Sequence, residues 1–123
     1  MDPEDAVLEQ FREHAIDRGS AEEYFPASLG PAIVSACEQN DLAVIGIEGF
    51  LFEDGFTCPQ MELIRDFGMM APISSWEEHR RTCNHLARAF VRALDWWCGL
   101  FLNFVFTSRD EWLAYRENRA LHP

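Results

Sequence analysis

LAVIGIEGFLF, residues 42–52, is the clearest secondary-structure signal in the sequence. Its apolar side chains fall on both faces of an extended chain, a pattern typical of a central strand that is covered on both sides. Gly46 and Gly49 interrupt the run, and glycine inside a strand indicates a bulge or a close approach of another backbone. The segment therefore predicts the central strand of a small sheet.

Two further segments have strand character. Residues 53–55, EDG, are a turn signal, after which residues 61–67 return as a strand. A short helix after Pro59 is the other interpretation of this returning segment, and we favour the strand. LFLNFVF, residues 100–106, alternates in the way a half-buried strand does. We therefore expect about three strands.

Helices are predicted before and between these strands. Asp2 can cap the first helix, which Gly19 ends. A Ser-x-x-Glu capping box at residues 20–23 opens a short helix that Pro26 stops. Another helix is expected over residues 31–40, with proline at its first turn.

Two more capping boxes, at residues 75–78 and 108–111, open the longest helix and a terminal helix. The longest helix carries one apolar stripe, predicted to be core, formed by Cys83, Leu86, Phe90, Leu94 and Trp97. Residues 119–123 are expected to be a frayed tail. The predicted order is α-α-β-β-α-β-α. It describes one α+β domain, residues 1–123, with a small antiparallel or mixed sheet covered by four to five helices.

The charge of the chain limits its partners. The 123 residues include 21 acidic and 10 basic side chains, all of the latter arginine, for a net charge of −11. Residues 1–66 carry 15 acids and 3 arginines, a net charge of −12, so nearly all of the negative field arises there. Such a chain repels nucleic acid and anionic lipid and attracts basic surfaces. A well-solvated surface without a partner would have the same composition.

Nothing in the sequence directs the chain out of the cytoplasm. The N-terminal residues MDPEDAVLEQ lack the basic and apolar regions of a signal peptide. The longest apolar stretch, residues 96–106, is far shorter than the ~20 residues of a membrane span. The cysteines form no Cys-x-x-Cys pair and are expected to be reduced thiols. We expect a cytoplasmic protein that uses no cofactor.

His79 and Cys83 are the only candidates for metal binding or nucleophilic catalysis that spacing suggests. They are four residues apart on one helix face, as metal ligands or a Cys–His pair would be. No other His/Cys pair supplies a third and fourth ligand, and an apolar, acidic setting disfavours a thiolate. A surface histidine one turn before a core cysteine is the favoured explanation of this spacing. We expect no metal site and no enzymatic activity.

A band of acidic residues surrounds the two predicted strands and their turn. The band consists of Glu48, Glu53, Asp54, Glu62 and Asp66. These carboxylates could hold Mg²⁺, could act as acid and base, or could be a solvated face. On a rigid hairpin they could equally bind a basic protein. Aromatic residues that dominate binding hot spots or fill cores are also present, namely Trp76, Trp96, Trp112 and Tyr115.

Several of these segments together resemble small acidic immunity proteins of bacterial polymorphic-toxin and colicin-like systems. The resemblance lies in AVIGIEGF (43–50), EDG (53–55), MELIRDF (61–67) and FLNFVF (101–106), the last followed by Glu111 and Trp112. It implies a protein that binds and neutralises the toxic domain of a cognate toxin, often a basic nuclease. It implies no particular contact residue.

Two other functions fit the sequence. An acidic secretion chaperone is also small and α+β, but it is a homodimer that wraps an unfolded effector segment. A small enzyme or ligand-binding domain would need a deep pocket that holds Cys83 and His79 together, or converging carboxylates with a metal. For an immunity protein we expect a monomer, so a solution mass would separate it from the chaperone.

Overall fold

The structure, a computed structural model, describes residues 1–16 and 22–121 and has an α+β fold. The elements are α1 (Pro3–Phe11), β1 (Phe25–Pro26), α2 (Gly30–Gln39), β2 (Leu42–Glu53), β3 (Phe56–Asp66), α3 (Trp76–Leu94), β4 (Leu100–Ser108) and α4 (Arg109–Leu121). Four strands form one antiparallel sheet in the order β1-β4-β2-β3. The α+β class and the strand character of residues 61–66 are thus confirmed.

The predicted count of three strands is wrong because a short fourth strand lies where a helix was expected. Phe25 and Pro26 pair with β4, Phe25 opposite Leu102. The Phe25 ring is almost completely buried, so its burial and this pairing outweigh the local helix-start signal before it. The predicted start at Ser20 lies outside the described residues.

Helix ends also differ from the prediction. The first helix ends at Phe11 and is followed by a 3-10 turn, eight residues before the predicted end at Gly19. The terminal helix spans Arg109–Leu121. The predicted helix starts agree better with the structure. The Ser108 capping box, for example, forms as predicted. The hydroxyl of Ser108 accepts the amide of Glu111, and the Glu111 carboxylate accepts the amide of Ser108.

Strand β2 is central, as predicted, and its glycines have the two expected roles. Its register shifts against β4 between Val44 and Gly46, and against β3 between Glu48 and Gly49. A Cβ added at Gly49 would lie 2.9 Å from the Cβ of Leu63. Gly49 therefore allows β3 to cross close to β2.

The sheet has one face against the helices and a second face that is partly exposed. Along β4 the even-numbered residues from Leu100 to Phe106 are buried, whereas Val105 on the other face is 45% exposed. Helices α2 and α3 pack against β2. The second face bears an aromatic cluster in which the rings are in contact, formed by Tyr24, Phe50, Phe52 and Phe101.

The buried stripe of α3 is rotated slightly from the predicted one. Ala87 and Val91 are fully buried, while Phe90 and two other predicted stripe residues are only partly buried against the core. The reason is a close helix contact, because a Cβ at Gly30 of α2 would lie 2.7 Å from the Cβ of Val91. Small side chains thus occupy the centre of this contact.

A buried asparagine completes the sheet where β2 extends past β3. The side chain of Asn84 accepts the Val44 amide at 2.9 Å and donates to the Leu42 carbonyl at 3.0 Å. It also donates to Glu38 of α2. Because backbone groups buried without partners are costly, Asn84 takes the place of a neighbouring strand here.

Candidate partner-binding surface

The five predicted partner-binding acids all lie on the β2–β3 hairpin, but they do not form one cluster. Glu53 and Asp54 are at its turn, where Asp54 and the following glycine have positive φ. Asp66 ends β3 at the opposite end, where it lies across from Gly46, seven residues along β2 from Glu53 and so about 23 Å away at ~3.3 Å per residue. Glu62 is exposed between them, and Glu48 is half-buried on β2. Glu48 and Asp66 are diagonal neighbours on the second face of the sheet.

These carboxylates lack a basic partner within the described part of the chain. No ion pair joins any of the five to a described arginine or histidine. Asp66 accepts the backbone amide of Met69 at 3.2 Å, which fixes the position of its carboxylate. Arg65, the one arginine of β3, turns to the helix-covered side, where its guanidinium lies 4.9 Å from the ring centre of Phe90. Among the described residues, no ion pair therefore compensates the negative charge of the hairpin.

Acids elsewhere are paired in a network where α2, β2, α3 and α4 meet. Arg80 contacts Asp41 at 2.6 Å and Glu38 at 3.0 Å, and Arg109 contacts Asp41 at 3.2 Å and Glu77 at 3.0 Å. Partial burial acts to raise the pKa of Asp41, but hydrogen bonds from Trp76 and Arg80 and the two arginine charges lower it overall. This network joins elements within the fold, in contrast to the acids of the hairpin.

Exposed apolar side chains lie along the same hairpin. Six of the eleven exposed large apolar residues in the described chain fall within residues 56–73, which makes this segment the main apolar part of the surface. They are Phe56, Met61, Ile64, Met69, Met70 and Ile73. These residues were not predicted from the sequence. A signal was present for Met69, Met70 and Ile73, because they lie outside any strand or helix pattern that would bury them.

A cavity of about 490 Å³ lies at the Asp66 end of the hairpin. We call it the α4 cavity; its lining consists of Ile45, Asp66, Gly68, Met69, Ala71, Ile73, His79, Thr107, Trp112 and Tyr115. The loop that forms one wall is tied to β2, because the amides of Phe67 and Gly68 donate to the Ile45 carbonyl at 2.9 and 3.2 Å. The cavity is therefore bounded by bonded backbone, and its described lining combines one carboxylate with His79, Thr107 and mainly apolar or aromatic side chains.

His79 and Cys83 are adjacent, but they are buried and do not form a reactive pair. The Cys83 sulfur lies 3.7 Å from His79 Nε2 and has no exposed surface. Burial, assisted by the charge of Asp66, raises the pKa of Cys83 to about 12, so the thiol stays protonated near neutral pH. His79, at 4% exposure, is not a surface histidine. Within residues 1–16 and 22–121, no three His, Cys, Asp or Glu residues form a group that could hold a metal ion.

The aromatic candidates separate into core and surface residues. Trp76 and Trp112 are buried with their rings 5.9 Å apart. Trp96 is 73% exposed and stacks on Trp97 beyond the end of α3. Tyr115, at 58% exposure, lies on the rim of the α4 cavity.

No described helix combines the length and the apolar character that a membrane span requires. Comparison with family models, curated proteins and solved structures found no match. The residues of this chain are therefore the basis for its proposed function.

Proposed function

We propose that this chain binds a basic protein and neutralises it, as small acidic bacterial immunity proteins do, and that it catalyses no reaction. The observation that carries the proposal is the surface of residues 53–73. There, carboxylates that form no ion pair with a described arginine or histidine lie among exposed apolar side chains. Protein interfaces combine these two features, since buried apolar anchors supply affinity and complementary charges supply specificity and association rate.

The proposed partner is the toxic domain of a cognate bacterial toxin, a basic nuclease. A nuclease attracts phosphate, so its surface is positive and complements a chain of net charge −11. The acids of the hairpin would face the arginines and lysines that otherwise bind the nucleic acid backbone. Binding there would cover or shield the nuclease site.

Side chains, more than backbone pairing, would make this contact. β3 is an edge strand, and free edges can pair with another strand. Pro59 in its middle has no amide to donate, and the register against β2 is irregular beside it. Strand addition by a second copy is further opposed by the like charges of the two hairpins.

The alternatives make different predictions. A secretion chaperone would be a stable homodimer, whereas the proposed function predicts a monomer by light scattering at physiological salt. A small enzyme built on Cys83 is disfavoured by the raised pKa and complete burial of that thiol. A Cys83→Ser variant should therefore retain full partner binding.

The decisive experiment measures association with a basic toxin domain of the kind proposed here as the partner. Single variants Glu53→Gln, Asp54→Asn, Glu62→Gln and Asp66→Asn each remove one charge. The association rate should fall as salt rises, because screening shortens to ~8 Å at physiological ionic strength. A rim acid should slow association slightly, and a carboxylate paired in the complex should raise the dissociation rate and cost about 2–5 kcal/mol.

Glu9→Gln is the matched control, because Glu9 is an exposed acid of α1 and its loss changes the net charge equally. If the control weakens binding as much as every hairpin variant, only net charge matters. If no hairpin variant, Glu48→Gln included, changes binding at all, the proposed surface is wrong.

A further inference from the structure

The α4 cavity has the features of a site for a single long cationic side chain. Most of its lining is apolar or aromatic, and the polar side chains of His79 and Thr107 also belong to it. Among the described residues of the lining, Asp66 is the one carboxylate. A cationic head on a long apolar stem matches this combination, because the stem can bury against the walls while the head pairs with the acid.

We propose that the α4 cavity receives an arginine side chain from the partner protein and that Asp66 pairs with its guanidinium. This inference rests on the proposed function, since it names the residue type by which the basic partner would be recognised. Arginine fits better than lysine because its planar guanidinium both pairs with a carboxylate through two hydrogen bonds and stacks on aromatic rings. Tyr115, at 58% exposure, is the aromatic side chain of the lining that lies at the surface, whereas the buried Trp112 ring already has the guanidinium of Arg116 5.4 Å from its centre.

Asp66 is prepared for this contact before a partner arrives. Its carboxylate accepts the Met69 amide, so little side-chain freedom remains to be lost on binding. Its sequence neighbour Arg65 points to the opposite side of the sheet and makes no ion pair with it. The cavity volume of about 490 Å³ exceeds that of one side chain, so residues that flank the arginine can also enter. A second copy of this chain is a poor occupant, because it would bring a further net charge of −11.

The test needs no toxin. Nα-acetyl-arginine N-methylamide is titrated into ¹⁵N-labelled protein, and the indole N–H signals of Trp112 and Trp96 are followed by NMR. The Trp112 signal should shift and saturate at millimolar probe, while the Trp96 signal, outside the cavity, stays in place. The corresponding capped leucine should bind several-fold more weakly, and capped lysine should fall between the two.

Two variants separate charge from packing. Asp66→Asn keeps an oxygen for the Met69 amide and should weaken capped arginine about tenfold, whereas Glu9→Gln on α1 should leave its affinity unchanged. Ile73→Ala, at a position 62% exposed in the free chain, should weaken the probe without unfolding the protein. Acetyl-Leu-Arg-Leu-amide should bind more tightly than capped arginine, because the flanking residues contact the apolar walls.

Several results would overturn the assignment: no saturable shift at Trp112, equal affinity for capped leucine, or an unchanged titration in Asp66→Asn. Equal affinity for the tripeptide and capped arginine would indicate a free guanidinium compound and not a protein segment. These results would not change the salt dependence, or the effects of the hairpin variants, that are expected in the toxin-binding experiment. Conversely, a chain that binds capped arginine but no basic protein would refute the proposed function alone.

Discussion

Replacing Asn84 by alanine should destabilise the protein far more than any other single change of one polar side chain on α3. Asn84 is 1% exposed and bonds to two backbone groups of β2 and to Glu38. In Asn84→Ala, the amide of Val44 and the carbonyl of Leu42 would lose these partners in the interior. Each buried unsatisfied group costs about 1–3 kcal/mol, so we expect a total loss of about 2–5 kcal/mol.

Urea unfolding followed by tryptophan fluorescence measures this loss. With a slope of about 1–3 kcal/mol per molar urea, the midpoint should fall by roughly 1–3 M at unchanged slope. Asn84→Asp should cost at least as much, because it keeps an acceptor for Val44 but loses both donated bonds and adds a negative charge beside Glu38. The control is His85→Ala, the next residue on the exposed side of α3, with an expected change within about 0.5 kcal/mol. A loss below about 1 kcal/mol in Asn84→Ala would mean that water replaces the side chain and that the edge of β2 is not sealed.

Three further predictions concern the core and the charge network. Asp41→Asn should reduce stability at neutral pH, and the difference from the parent should shrink as the pH falls below about 4. The reason is that the lowered pKa of Asp41 contributes stability above the unfolded-state value, which is lost as the carboxylate protonates. Gly30→Ala should cost about 1–3 kcal/mol by overpacking against Val91, and adding Val91→Ala should recover part of that loss in urea unfolding. Trp96→Ala should change stability by less than about 1 kcal/mol in the same assay, since the ring is exposed.

Local signals in the sequence predicted those parts of the fold that local chemistry determines. The apolar run of β2, the turn after Glu53 and the capping residues Ser75 and Ser108 each depend on neighbours in sequence, and all three appear where predicted. Strand β1 could not be predicted in this way, because it exists only through pairing with β4, which lies more than 70 residues away. The role of Asn84 was hidden for the same reason, since it bonds to strand residues about 40 positions earlier.

The candidate surface was only partly predictable. The five acids could be placed on a hairpin from sequence, but not their spread from the turn to Asp66. The α4 cavity requires the loop 67–75 to meet α4, a contact that no periodic pattern encodes. The exposure of Trp96 could not be predicted either, because it depends on where α3 ends. The helix stops at Leu94, so Trp96 lies beyond it at the surface.

The combination of unpaired acids with exposed apolar side chains makes the hairpin, and not another acidic part of the chain, the surface to test. The exposed acids of α1, such as Glu9, also lack a described arginine partner, but α1 bears no exposed large apolar side chain. Arg80 and Arg109 neutralise the acids at the junction of the helices, and Arg12 pairs with Glu23, so those carboxylates already stabilise the fold. Acids that serve solubility alone do not require apolar neighbours, and exposed apolar side chains by themselves promote aggregation. On β3 and the following loop the two occur together. In the free chain, the exposed apolar side chains are unfavourable and the unpaired acids do not stabilise the fold. Both features stabilise a complex in which a basic protein with an apolar contact surface covers them.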